Sequence, residues 1–231
     1  MSVNFNQVEK KIKITFTDKD LLRTVFTHRS YLNEHREEKL SSNERLEFLG
    51  DSILAFWVSK NLYNLHPNLP EGTLTNMRTY LVRTETLAEI SKKLNLGEHL
   101  LLSRGEERGG GRENVALLAN TLEALIGAIY LDGGLTRVDS FLKKTFMKKI
   151  LNLKEEELKD AKSLLQEKIQ TKIKESPVYK VLKEEGPDHN KLFEVGVFSL
   201  GRLIGIGTGK SKQEAEENAA QNALANYKEL N

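Results

Sequence analysis

The chain contains no cysteine. That absence excludes a disulfide framework, a thiolate zinc site and a cysteine nucleophile, and leaves carboxylates, histidines and hydroxyls to carry any chemistry. An excess of one charge is also missing. With 35 basic residues against 33 acidic, a net of +2, any surface for polyanions must be local rather than global. The N-terminus, MSVNFNQVEKKIKITF, has neither a continuous apolar core nor a small-residue cleavage site. No secretory signal is read there, and the cytoplasm is the expected location. The most apolar stretch, Val115 to Leu131 (VALLANTLEALIGAIYL), falls short of the roughly 20 residues that cross a bilayer. It also carries Asn120 and Glu123, so a buried core helix is expected and no membrane partner.

What remains is a chain of 231 residues, 39% hydrophobic and 29% charged, enough for one large or two modest domains. From Leu21 to about Leu151 apolar residues recur at helical spacings, and an all-α domain is expected over residues 1–151. Loops are expected at 66–72 (HPNLPEG), 95–97 (NLG) and 104–114 (RGEERGGGREN), where three consecutive glycines oppose a helix. The charged segment 152–159 reads as a linker. Beyond it, over 160–229, the periodicity changes. Leu165, Ile169 and Ile173 mark a short helix ended by Ser176 and Pro177. Strands follow at Val178 to Glu185, around Phe193, Val195 and Val197, and at Arg202 to Gly207. A closing helix carries the small-residue stripe Ala215, Ala219, Ala220, Ala223, Leu224 and Tyr227. The whole is α+β: an all-α domain, then an α-β-β-β-α domain.

The segment NERLEFLGDS places Glu44, Glu47 and Asp51 on one helix face. Like charges so placed cost a few tenths of a kcal/mol per pair, and something must offset them. A basic neighbour such as Arg45 is one answer. A second acid, Glu123, lies in the apolar helix, where an unpaired charge would cost several kcal/mol. It needs a hydrogen-bond or arginine partner, or it joins Glu47 and Asp51 around a hard cation. Oxygen-only ligation favours Mg²⁺, or Mn²⁺ in its place. Asn120, one turn earlier, can add an amide oxygen. The five histidines show no paired metal spacing and read as turn or surface residues.

LIGIGTGKS, at 203–211, imitates a phosphate-binding loop. That motif's first glycine would fall at position 204, which is Ile204, so no nucleotide cofactor is expected. Lys210, Ser211 and Lys212 still open a helix, a geometry that suits phosphate. Both halves of the chain are near neutral, so such a face requires Glu216 and Glu217 to turn away from those lysines.

These residues resemble the ribonuclease III family. The resemblance rests on NERLEFLGDS at 43–52, THRSY at 27–31, EGTLTNMR at 71–78 and GGGRENVALLANTLEALIGAIYLDGG at 109–134. The second half resembles a double-stranded RNA-binding domain in LLQEKIQ, GPDHNKLFEV and GKSKQEAEENAA. The resemblance implies a homodimeric, Mg²⁺-dependent endoribonuclease. It would cut double-stranded RNA to 5′-phosphate and 3′-hydroxyl ends with short 3′ overhangs, in the maturation of rRNA and mRNA precursors. It makes Glu47, Asp51, Asn120 and Glu123 the metal site, with Asp51 and Glu123 catalytic, and Glu44 and Glu71 outlying acids. It makes Phe48 the residue that packs into the partner subunit. Gln166 and His189 would face two minor grooves of a duplex about 16 base pairs long, with Lys210, Ser211 and Lys212 at the phosphates between. Two residues depart from the pattern: Asn120 stands where an aspartate is usual, and Gln213 where a third lysine is common. The first opens an alternative, a catalytically impaired protein that only binds duplex RNA.

Overall fold

A computed structural model describes residues 5–153, 161–187 and 191–226. The chain divides into two compact units, Met1–Leu153 and Lys154–Asn231.

The first unit is helical: α1 Phe5–Ile12, α2 Lys19–Val25, α3 Arg29–Glu34, α4 Glu44–Leu65, α5 Glu71–Val82, α6 Thr84–Lys93, α7 Arg104–Arg108, α8 Val115–Thr145 and α9 Met147–Asn152. Helix α8 is its axis and packs against α4 and α6. Its Leu122, Ala124, Leu125, Ile126, Ala128 and Ile129 are fully buried, which explains an apolarity high enough to pass for a membrane span. Asn114 caps its start by accepting from the Ala116 and Leu117 amides, and Gly134 (φ +72°) breaks its regularity. The apolar run at 115–131 is therefore a core helix, as its length and polar residues imply.

Three local expectations need correction. Helix α1 precedes the region read as helical. It is held from outside itself: the buried Glu9 carboxylate accepts from the Phe16 amide at 2.7 Å and pairs with Lys19. The segment RGEERGGGREN is not all loop, because α7 forms within it with Ser103 Oγ accepting from the Glu106 amide. The three consecutive glycines, 109–111, stay outside the α-helix, Gly110 at φ +80°. Helix α5 begins at Glu71, inside the expected loop.

The second unit runs α10 Ala161–Ile173, β1 Val178–Glu185, β2 Leu192–Ser199, β3 Arg202–Gly209 and α11 Lys212–Ala225. Its antiparallel sheet has the order β1-β2-β3. Lys174, at φ +59°, ends α10 before Ser176 and Pro177 are reached. The core joins Leu165, Ile169, Val195 and Val197 to Ala215, Ala219, Ala220 and Ala223; Tyr227, expected in that stripe, lies outside the described residues. Strand β3 continues past Gly207 to Gly209 and shows why the glycines of LIGIGTG are there. Gly205, Gly207 and Gly209 alternate onto the face under α11, and a Cβ on Gly207 would stand 2.1 Å from the Ala219 nitrogen. They are spacers for a close helix–sheet contact, not a phosphate loop.

Candidate functional site

The start of α4 is anchored before its acids begin. Buried Asn43 donates through Nδ2 to the Val25 carbonyl and through its amide to the Thr27 carbonyl. Thr27 forms a bridge with Leu101, and Ser30 Oγ accepts from the Ser103 amide. THRSY is thus a brace that ties the α2–α3 corner to α4 and to residues 101–103. His28 caps α3, His35 stacks on Tyr31 and His99 meets the edge of Phe26, so these three histidines have structural duties.

Helices α4 and α8 then touch backbone to backbone. A Cβ built on Gly50 would lie 1.7 Å from the Glu123 carbonyl oxygen, and one on Gly127 would lie 2.3 Å from that of Leu46. Glycine at the crossing permits an approach that any side chain would block. Glu47 and Asp51 flank Gly50 on α4, and Glu123 lies one turn before Gly127 on α8, so the crossing brings the three acids together.

Their electrostatics show the proximity. Burial, then Asp51 and Glu47, push the Glu123 carboxyl up to about 7. Burial, then Glu44 and Asp51, raise that of Glu47. Among the described residues neither is relieved by a cation or hydrogen bond, and no arginine or helix end there partners Glu123. Among the described residues no three acids or histidines close into a metal cage. The carboxylates are coupled through their charges without converging on one point. The donor set is nonetheless all oxygen and its repulsion is uncompensated, which fits a hard divalent cation. Asn120 lies on α8 one turn before Glu123, half-buried, and offers an amide oxygen.

The remaining acids are placed differently. Glu44 accepts from Ser42 Oγ at 2.8 Å and lies 3.5 Å from Arg29; it acts on Glu47 and is not among the charges acting on Glu123. The basic neighbour is therefore Arg29, not the adjacent Arg45. Glu71, exposed at the first turn of α5, accepts from Thr75 Oγ1 and is not among the charges acting on Glu47 or Glu123. Phe48 is 78% exposed, with Phe56 and Tyr63 also exposed along α4, so it is not a core residue.

In the second unit Gln166 is exposed on α10, and His189 lies outside the described residues. Ser211 caps α11 by accepting from the Glu214 amide, while the Lys210 amide donates to the Glu214 carboxylate. The Lys210 and Lys212 side chains are exposed, and Lys212 also pairs with Glu184. Glu216 pairs with Lys162, and Glu217 accepts from the Ala161 amide. Both acids, about one turn along α11, are thus engaged with α10 rather than with the exposed lysines at the start of the helix.

Sequence reasoning missed Gly50, Gly127, Arg29 and Glu184. The two glycines had a signal, since glycine inside a good helical pattern costs about 1 kcal/mol against alanine and calls for a packing reason. The two ion pairs are long-range and had none.

Comparison with known proteins covers both units. Residues 18–150 match the Ribonuclease-III-like family, and residues 161–227 match the double-stranded RNA binding motif. A protein of Bacillus licheniformis named Ribonuclease 3 is 45% identical over 221 residues, 96% of this chain and 89% of its own length. One of Borreliella burgdorferi with the same name is 45% identical over 223 residues, 96% of this chain and 91% of its own. The nuclease domain of ribonuclease III from Campylobacter jejuni is 35% identical at a TM-score of 0.59, over 65% of this chain and 99% of that domain. A second structure of that domain, 36% identical at a TM-score of 0.58 over 63% of this chain and 97% of that domain, is described by flexibility in a region involved in dimer formation.

Proposed function

The chain belongs to the ribonuclease III family, and from that premise we propose how its residues carry out the family's reaction. It is a double-strand-specific endoribonuclease, with a nuclease domain followed by a double-stranded RNA-binding domain. The rival reading, a silent binder blocked at Asn120, finds no support, because relatives matching nearly the whole chain are named as the nuclease.

Within that function, Glu47, Asp51, Asn120 and Glu123 hold Mg²⁺, with Mn²⁺ as a substitute. A cation held by these residues would supply a more acidic bound water and stabilisation of charge on the phosphodiester. Glu47 and Asp51 present oxygens from α4, and Glu123 presents its own from α8. Without the metal, burial and the two neighbouring acids hold the Glu123 carboxyl up to about 7; a cation bound beside it would lower that value and keep the carboxylate ionised as a ligand. Asp51 and Glu123 are the catalytic pair, Glu44 and Glu71 outlying acids. The products carry 5′-phosphate and 3′-hydroxyl ends with short 3′ overhangs, and the substrates are structured rRNA and mRNA precursors in the cytoplasm. Two chains pair through exposed Phe48. Gln166, His189, Lys210, Ser211 and Lys212 grip the duplex by shape and phosphate. The nuclease domain is taken as 1–151, the linker as 152–159 and the RNA-binding domain as 160–229.

One observation carries this reading: the coupling of Glu47, Asp51 and Glu123 across the Gly50–Gly127 crossing, with no cation among the described residues to relieve it. Glu123→Gln tests it. Cleavage is lost while duplex binding in EDTA persists; loss of both together removes Glu123 from the catalytic role.

A further inference from the structure

Glu184 stands between two lysines. It lies near the end of β1 in register with Phe193 of β2, which is itself in register with Gly209 of β3. This end of the sheet therefore adjoins the start of α11. Glu184 Oε2 lies 3.2 Å from Lys191 Nζ, and its Oε1 lies 3.3 Å from Lys212 Nζ. Both ammonium groups also sit over the ring of Phe193, 5.9 and 5.6 Å from its centroid. Hydrogen bonds from the two lysines hold the Glu184 carboxyl below the ordinary range.

Stability does not account for this arrangement. Exposed ion pairs contribute little to stability, and Lys212 is 59% exposed. Two ammonium groups over one ring repel each other, and the carboxylate between them offsets that repulsion and sets their spacing. An ammonium carries three donors, so holding a carboxylate does not exhaust it. The trio keeps a net positive charge beside Lys210, while Glu216 and Glu217 are engaged with α10.

We propose that Glu184 is a positioning residue for RNA binding, and that Lys191 is a further phosphate contact, paired with Lys212 across the Glu184 carboxylate above Phe193. This rests on the reading that the second domain binds duplex RNA. It also makes a counterintuitive demand. By charge alone, removing an acid beside a phosphate site tightens RNA binding. If Glu184 acts by placing the lysines, removing its charge weakens it.

The test is the affinity of the full chain for a blunt RNA duplex in EDTA, read by fluorescence anisotropy across a potassium chloride series. Glu184→Gln is expected to weaken binding about three- to tenfold, and Lys191→Ala to lower the salt slope by about 1, as for one lost phosphate contact. With Lys191 and Lys212 both changed to alanine, adding Glu184→Gln is expected to weaken binding no further, since its effect passes through those lysines. Equal or tighter binding by Glu184→Gln overturns the positioning role, and an unchanged slope for Lys191→Ala overturns the new contact. If the unaltered chain itself fails to bind, the failure lies with the reading beneath. Thermal unfolding of each variant is recorded alongside, and a melting point matching the unaltered chain assigns any loss of affinity to the binding face.

Discussion

Gly50 of α4 meets the carbonyl of Glu123 on α8 so closely that a single methyl group would stand 1.7 Å from that oxygen. The contact sets the distance between two helices and, through them, between Glu47, Asp51 and Glu123. The glycine is a structural residue whose product is an electrostatic one.

Gly50→Ala sets two effects against each other. Alanine is the better helix former by about 1 kcal/mol, but overpacking at a tight contact costs about 1–3 kcal/mol or more, and here the obstacle is backbone. We expect net destabilisation in urea unfolding. Displaced carboxylates cost more, and cleavage of duplex RNA falls about a hundredfold, as for a misplacement near 1 Å. Full activity in a folded Gly50→Ala protein would show that the crossing does not set the acids.

The raised carboxyl of Glu123 makes metal-free stability depend on pH. Its folded value, about 7, lies above its ordinary 4.5, so the folded state binds the proton more tightly. The stability this confers is present below pH 4.5 and is lost as pH rises through 7. At about 1.4 kcal/mol per unit, discounted for partial exposure, the loss is about 1–2 kcal/mol. Glu47 adds in the same direction. Urea unfolding in EDTA at pH 5 and pH 8 should show it, and Glu123→Gln should flatten the difference. An equal difference in both proteins would place its origin elsewhere.

Phe48, 78% exposed on α4, is the residue proposed for the subunit contact. Sedimentation should give two chains per particle, and Phe48→Ala should weaken association by about 2 kcal/mol, typical of a central aromatic anchor. An unchanged dimer constant would return Phe48 to the free surface.

At the start of α11, Lys210→Ala with Lys212→Ala should weaken binding to every duplex alike and reduce its salt dependence. A sequence-dependent loss would point to base readout instead.

Much of this was legible in the residues alone. The helical spacing of Glu44, Glu47 and Asp51, the lone acid in the apolar run at 115–131 and the alternation from 178 to 207 each carry a period that physics converts into a face. What was illegible is tertiary. Helix α1 owes its anchoring to Glu9 reaching Phe16 and Lys19, and α7 is too short to display a period. An apolar residue such as Phe48 fits a core and an interface equally well by spacing. Glu184 finds its lysines only when β1, β2 and α11 are assembled. The strand at 202–209 extends past the expected Gly207 because Gly209 continues the alternating glycine face packed under α11.

Cleavage of an end-labelled duplex RNA, with and without Mg²⁺, by this protein beside its Asn120→Asp variant bears most directly on the active site. We expect the protein to cut as it stands when Mg²⁺ is present, and the aspartate variant to cut at lower Mg²⁺, since it restores one charge that holds the cation. A protein that binds the duplex but leaves it whole at every Mg²⁺ concentration, while Asn120→Asp cuts it, would contradict the assignment of this chain as a working nuclease.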